Sequence, residues 1–129
     1  GKLKKRFRFV SLCDNVTTLL ALSNDYGYEN VFYMQIKDVL KEGDIVFCIS
    51  GSGNSENVVK VAEYAKSVGC KVISFTGFDG GRLKKLSDHP VHVALDDMKK
   101  AEDCHVVLLH AMARFISESL EKDATEYSV

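Results

Sequence analysis

Ile45-Val46-Phe47-Cys48-Ile49-Ser50-Gly51-Ser52-Gly53-Asn54-Ser55-Glu56 is the stretch that decides the fold. It opens on an unbroken apolar run of strand length. Continuous apolarity, without alternation, fits a strand covered on both faces, as in a parallel sheet. The Gly/Ser loop 50–54 follows directly, and a helix is expected from Ser55 to about Val68. Its apolar positions Val58, Val61, Ala62, Ala65 and Val68 form one stripe, and Gly69 ends it. Lys71–Thr76 (KVISFT) is the next buried strand, and residues 77–81 the next loop.

Working outward, Arg8–Cys13 (RFVSLC) reads as a short strand. Asp14 and Asn15 give a turn and a cap before an apolar helical stretch, Val16–Leu22. Val31–Leu40 carries apolar residues at helical spacing and stops at Lys41-Glu42-Gly43. Downstream, Arg82–Leu86 suits a short helix and Val91–Leu95 a last strand after Pro90. A long helix follows from about Glu102 to Leu120. Strand and helix alternate in the rhythm of a doubly wound, three-layer α/β fold with four parallel strands. The whole chain, 1–129, reads as one domain. Because it opens on Gly1 and enters a strand almost at once, the expectation is the C-terminal part of a domain lacking its N-terminal helices and first strand.

A net charge of −1 supplies no global field for nucleic acid, and no aromatic array accompanies a basic groove. The basic run Lys2, Lys4, Lys5, Arg6 and Arg8 is read as a solvated chain end. No apolar run approaches a membrane span, and no secretory leader opens the chain. Cys13, Cys48, Cys70 and Cys104 are far apart and form no CxxC pair, which suits reduced thiols in a cytoplasmic protein.

The loop after the first buried strand carries the chemistry. In a parallel α/β sheet, ligands bind beyond the carboxyl ends of the strands. Glycines let the backbone approach an anion, and the N–H groups and dipole of the following helix favour negative charge. Ser50, Ser52 and Ser55 add hydroxyl donors, and no lysine is present. That set suits a phosphomonoester better than a triphosphate with magnesium. The plainer reading is a Gly/Ser turn whose serines cap a helix. A Walker loop lacks its lysine here. A dinucleotide fingerprint finds Gly51 and Gly53 but Glu56 where the third glycine belongs, leaving Asp79 as a ribose contact; no nucleotide cofactor is expected.

DIVFCISGSGNSENVVKVAEYAKSVGCKVISFTGFDGG, residues 44–81, resembles the sugar-isomerase (SIS) domain, particularly the bacterial phosphoheptose isomerases. Those share a serine-rich SxSGNS loop followed by helix, strand and TGxDGG, matched here by Ser50–Ser55 and Thr76–Gly81. SLCDNVTTLLALSNDYGYENVF, residues 11–32, is similar to the segment preceding that loop in the same group. The resemblance implies an aldose–ketose isomerase acting on sedoheptulose 7-phosphate in lipopolysaccharide or capsule heptose synthesis. Such enzymes are usually homotetramers and often bind zinc.

The resemblance further implies that Ser50, Gly51, Ser52, Asn54 and Ser55 hold the phosphate, and that Asp14 touches sugar hydroxyls. His110 matches a catalytic histidine in the last helix. Glu102 stands where the family usually has glutamine, and the two are also the candidate zinc ligands. Three departures stand out. The first strand, with a GNGGSA loop, and the helix bearing a catalytic glutamate would precede Gly1. Gly51 replaces a common threonine. Lys99 stands in place of an aspartate.

Isomerisation itself needs a base and an acid, and histidine and glutamate suit that task near neutral pH. Glu102 and His110 are about 80° apart around an ideal helix and ~12 Å apart along it. They can face one cleft, but sharing one ion requires Glu102 in a loosened first turn. His105 points elsewhere and reads as structural or exposed. His89 and His92 gather no site. A non-catalytic SIS module that binds a phosphosugar as a regulator or adaptor is the alternative.

Overall fold

A computed structural model describes the backbone of residues 8–126 and the side chains of residues 8–120. Lys2, Lys4, Lys5 and Arg6 of the basic run lie outside the described residues. Three parallel strands, β1 (Ile45–Ser50), β2 (Lys71–Thr76) and β3 (His89–His92), lie side by side in that order. Helices α1 (Val16–Tyr26), α2 (Tyr33–Ile36), α3 (Glu56–Ser67), α4 (Gly81–Leu86) and α5 (Met98–Glu126) surround them, with a 3-10 turn at Tyr28–Asn30.

One face of the sheet is closed by α3 and α4. Cys48 and Val72 point into this layer against Val61, Ala62, Ala65 and Leu83, as the stripe on α3 requires. Val59, Val72 and Leu83 are fully buried, and each such side chain contributes about 1.5–3 kcal/mol. On the opposite face Phe47 meets Phe75 edge-on, and among the described residues the first turns of α5 dock there through buried Ala101 and His105.

Several sequence expectations are corrected. Three strands are present among the described residues, where four were expected. Arg8–Cys13 is not a strand: a strand needs a ladder partner, and this exposed segment pairs with none of the three. β1 is not covered on both faces, since Ile45 and Ile49 are 64% and 48% exposed. The helix read over Val31–Leu40 is reduced to Tyr33–Ile36, because Asp38 adopts φ +65° and turns the chain. Its N–H donates to the Tyr64 hydroxyl at 3.2 Å.

The last strand sits earlier than expected. Asp88 anchors it: its N–H donates to Val72 O at 2.9 Å, and its carboxylate accepts from Val72 N at 2.9 Å. Pro90 is tolerated because β3 ends the order of strands and, among the described residues, has a strand partner on one side alone. α5 starts four residues before the expected Glu102, since Asp97 accepts from Lys100 N at 3.3 Å as a cap. The expected Asn15 cap is present, accepting from Thr18 N at 3.0 Å.

Candidate functional site

Ser50 and Thr76 pair across β1 and β2, so the loops leaving the two strands lie side by side. They are stitched together by backbone. Gly77 N donates to Gly51 O at 2.7 Å, and Leu83 N donates to Gly53 O at 2.9 Å. Asn54 Oδ1 accepts from Arg82 N at 3.1 Å, capping the start of α4. Gly53 has φ +65°, and a Cβ there would stand 2.0 Å from Gly80 O. Only glycine permits both the conformation and the approach.

The serines do more than close a turn. Ser55 is the N-cap residue of α3, yet its hydroxyl makes no capping bond. It lies instead 3.0 Å from the hydroxyl of buried Ser50. The N–H groups of Ser55, Glu56 and Asn57 therefore have no acceptor among the described residues, as expected of an uncapped helix start. The plain cap reading of these serines is not what the chain does. Ser52 Oγ accepts from Asn54 N at 3.2 Å and shapes the loop. No basic side chain lies within residues 50–55. Glu56, the acid nearest the free amides, forms an ion pair with Arg82.

These donors open on a cleft of about 500 Å³ whose far wall is Tyr28, Glu29 and Phe32. Lys60 Nζ donates to Asn30 Oδ1 at 3.0 Å and ties that wall to α3. The wall was not foreseen; its only trace in the sequence is the turn-rich YGYEN segment, whose partner lies 30 residues on. Met98 is a second unforeseen neighbour. Its Sδ stands 2.2 Å from where a Cβ at Gly51 would be, in the space a threonine there would claim.

Ser50, Gly51, Ser52, Asn54 and Ser55 thus form one local site. The other candidates stand apart. Asp14 is exposed ahead of α1. Glu102 and His110 are exposed on α5. His110 lines a separate hollow with Phe9, Met112 and Ile116. Glu102 lies inside regular helix, one turn past Met98. Two helical turns, ~12 Å, therefore separate its backbone from that of His110. Zinc takes four ligands in a structural site and three protein ligands in a catalytic one. No group of three His, Cys, Asp or Glu gathers among the described residues, so these two do not by themselves complete a zinc site. His92 is structural, with Nδ1 3.1 Å from the Thr76 hydroxyl.

Burial pushes the Cys48 thiol up to about 12, so the cysteine two residues before the loop stays protonated and is no nucleophile. The Lys100 ammonium, with the Lys100 N–H, holds the Asp97 carboxyl below its ordinary value at the start of α5. No helix among the described residues is long and apolar enough to cross a membrane.

Comparison with known proteins gives a consistent picture. A family model described as the SIS domain matches residues 8–77. The phosphoheptose isomerase of Helicobacter pylori (strain P12) is 39% identical over 109 residues, covering 84% of this chain and 57% of that protein. The probable phosphoheptose isomerase of Thermoplasma acidophilum is 37% identical over 117 residues, covering 91% of this chain and 64% of that protein. Among solved structures, the phosphoheptose isomerase of Neisseria gonorrhoeae superposes with a TM-score of 0.80 at 34% identity, over 83% of this chain and 61% of that one. The chain therefore spans less than two thirds of the length of these relatives.

Proposed function

The chain belongs to the SIS domain family, and on that premise we propose that it is the phosphate-binding part of a phosphosugar aldose–ketose isomerase, converting sedoheptulose 7-phosphate to a heptose 7-phosphate for lipopolysaccharide or capsule synthesis. The observation that carries the proposal is the Ser50–Ser55 hydroxyl pair beside an uncapped helix start. A capping serine would satisfy one of those amides, that of Asn57; here all three are without an acceptor among the described residues. Hydroxyls and N–H groups grip a tetrahedral oxyanion without a fixed cation. The names of the relatives point the same way.

In this reading the loop anchors the phosphate and Asp14 orients the sugar. His110 moves the proton between adjacent carbons or holds a metal, and Glu102 assists. A zinc ion would draw its remaining ligands from outside the described residues. The protein works in the cytoplasm as a homotetramer; Val106, Val107 and Phe115, exposed on α5, support burial against further chain. The test is isomerase activity on sedoheptulose 7-phosphate, for wild type and His110→Ala. Unchanged turnover in the variant removes His110 from the mechanism.

One observation favours a second reading, a non-catalytic phosphosugar-binding module. His110 lines a hollow with Phe9 and Ile116 and not the cleft at Ser55. Binding of the sugar phosphate without turnover in the full-length protein would select it.

A further inference from the structure

His105 is 2% exposed, on the face of α5 that docks on the sheet. Its ring stacks on Phe75 with centroids 5.4 Å apart and planes 19° from parallel. Nε2 lies 3.1 Å from Thr76 O. A carbonyl can only accept, so Nε2 carries the ring proton and Nδ1 is left as an acceptor. That buried Nδ1 has no partner among the described residues. An unpartnered buried acceptor is costly, and an apolar side chain on Phe75 would avoid the cost. What the imidazole offers in return is the Nε2–H donor.

That donor reaches a junction. Thr76 ends β2, and its carbonyl also accepts from Val93 N at 2.9 Å. The next amide, Gly77 N–H, donates to Gly51 O inside the serine loop at 2.7 Å. One turn before His105, Ala101 Cβ stands 3.0 Å from where a Cβ at Gly77 would be. Met98 packs over Gly51 in the same way. The first two turns of α5 therefore press on both residues of the Gly77–Gly51 bond, and His105 is their one hydrogen bond to the end of the sheet among the described residues.

We propose that His105 is a positioning residue for the anion loop. Its Nε2–H bond to Thr76 sets the first turns of α5 against the 76–77 peptide, and Gly77 N–H passes that position to Gly51. The ligand named in the test rests on the isomerase reading; the positioning role does not. His105→Met keeps an apolar group on Phe75 and removes the donor. His105→Gln places an amide nitrogen near the Nε2 position.

Two measurements are made on each: calorimetric titration with sedoheptulose 7-phosphate, and exchange of the Gly77 amide hydrogen followed by NMR. His105→Met is expected to weaken binding about three- to ten-fold, the worth of one hydrogen bond, and to speed Gly77 exchange. His105→Gln is expected to restore both. Equal affinity in wild type and His105→Met, or equal losses in the Met and Gln variants, overturns the proposal. If wild type does not bind the sugar phosphate, the isomerase reading fails and Gly77 exchange decides alone: faster in Met than in Gln supports positioning, and equal rates overturn it. Should His105→Met not fold, His105→Asn, whose shorter amide falls short of Thr76, takes its place with the same outcomes.

Discussion

Replacing Gly53 by alanine strains the contact between the two loops that build the site. The residue has φ +65°, and a Cβ there would meet Gly80 O at 2.0 Å and Gly81 N at 3.1 Å. Left-handed backbone costs an L-residue about 1–2 kcal/mol. Ordinary contact begins at 3.4 Å, so the loop bearing Gly80 must retreat by 3.4 − 2.0 = 1.4 Å. A retreat of that size breaks the Leu83 N to Gly53 O bond and the Arg82 N to Asn54 Oδ1 bond, now 2.9 and 3.1 Å. At about 1 kcal/mol for each bond, the total loss reaches roughly 3–4 kcal/mol. For a domain of this size that is a fall in Tm of roughly 10–15 °C. Gly43 supplies the control. It also has positive φ, +91°, but nothing lies within 4 Å of its absent Cβ. Gly43→Ala should therefore cost only the backbone part, about 1–2 kcal/mol. Urea denaturation of the two variants beside wild type measures the difference, and titration with sedoheptulose 7-phosphate should show the Gly53 variant alone losing affinity. If Gly53→Ala is no less stable than Gly43→Ala, the close packing of the loops is refuted.

Ser55→Ala should weaken sugar-phosphate binding and cost about 1 kcal/mol of stability through the lost bond to buried Ser50, not through a cap. Ser50→Ala and Ser55→Ala should therefore be less than additive in urea denaturation, and strictly additive losses would contradict this. Gly51→Thr alone should reduce stability and binding through collision with Met98, and Gly51→Thr with Met98→Ala should recover both; strictly additive losses in the double mutant would show that the two positions do not share space. The Asp88 carboxyl is held below its ordinary range by the Val72 N–H, then by Lys66 and Lys71. A depressed folded value means that its stabilisation is complete above the unfolded value near 3.8 and fades as pH falls through the folded value. Asp88→Asn should thus be less stable than wild type at pH 7, and the gap in urea midpoint should close as pH is lowered below 3.8; a gap independent of pH would count against the assignment.

The parts of the fold legible in the sequence are those set locally. Lys71–Thr76 was bounded by glycine punctuation at Gly69 and Gly77, and α3 by a stripe with a 3.6-residue period. Arg8–Cys13 has strand-like composition, but pairing is decided by a partner strand elsewhere in the chain, and none of the three described strands pairs with it. β3 escaped because the carboxylate of Asp88, 16 residues from Val72, fixes where the strand begins. The early start of α5 was readable in principle from Asp97, a cap residue three before Lys100. At the site, the Ser50–Ser55 loop was visible from residue type and order alone. Its packing on Gly77 and Gly80, the Tyr28–Phe32 wall and the Met98 cover were not, since each joins segments more than 20 residues apart. His105 looked inert for the same reason: nothing near it in sequence shows that its ring reaches Thr76.

A cradle without lysine or arginine has a kinetic character of its own. Its hold comes from short-range dipoles, so added salt screens it little, unlike a grip built on ammonium or guanidinium groups. Long-range steering of the incoming anion is correspondingly weak, and departure is unhindered by a fixed counter-charge. A sugar phosphate seated there would be held with a shallower dependence on ionic strength than one gripped by ammonium or guanidinium groups.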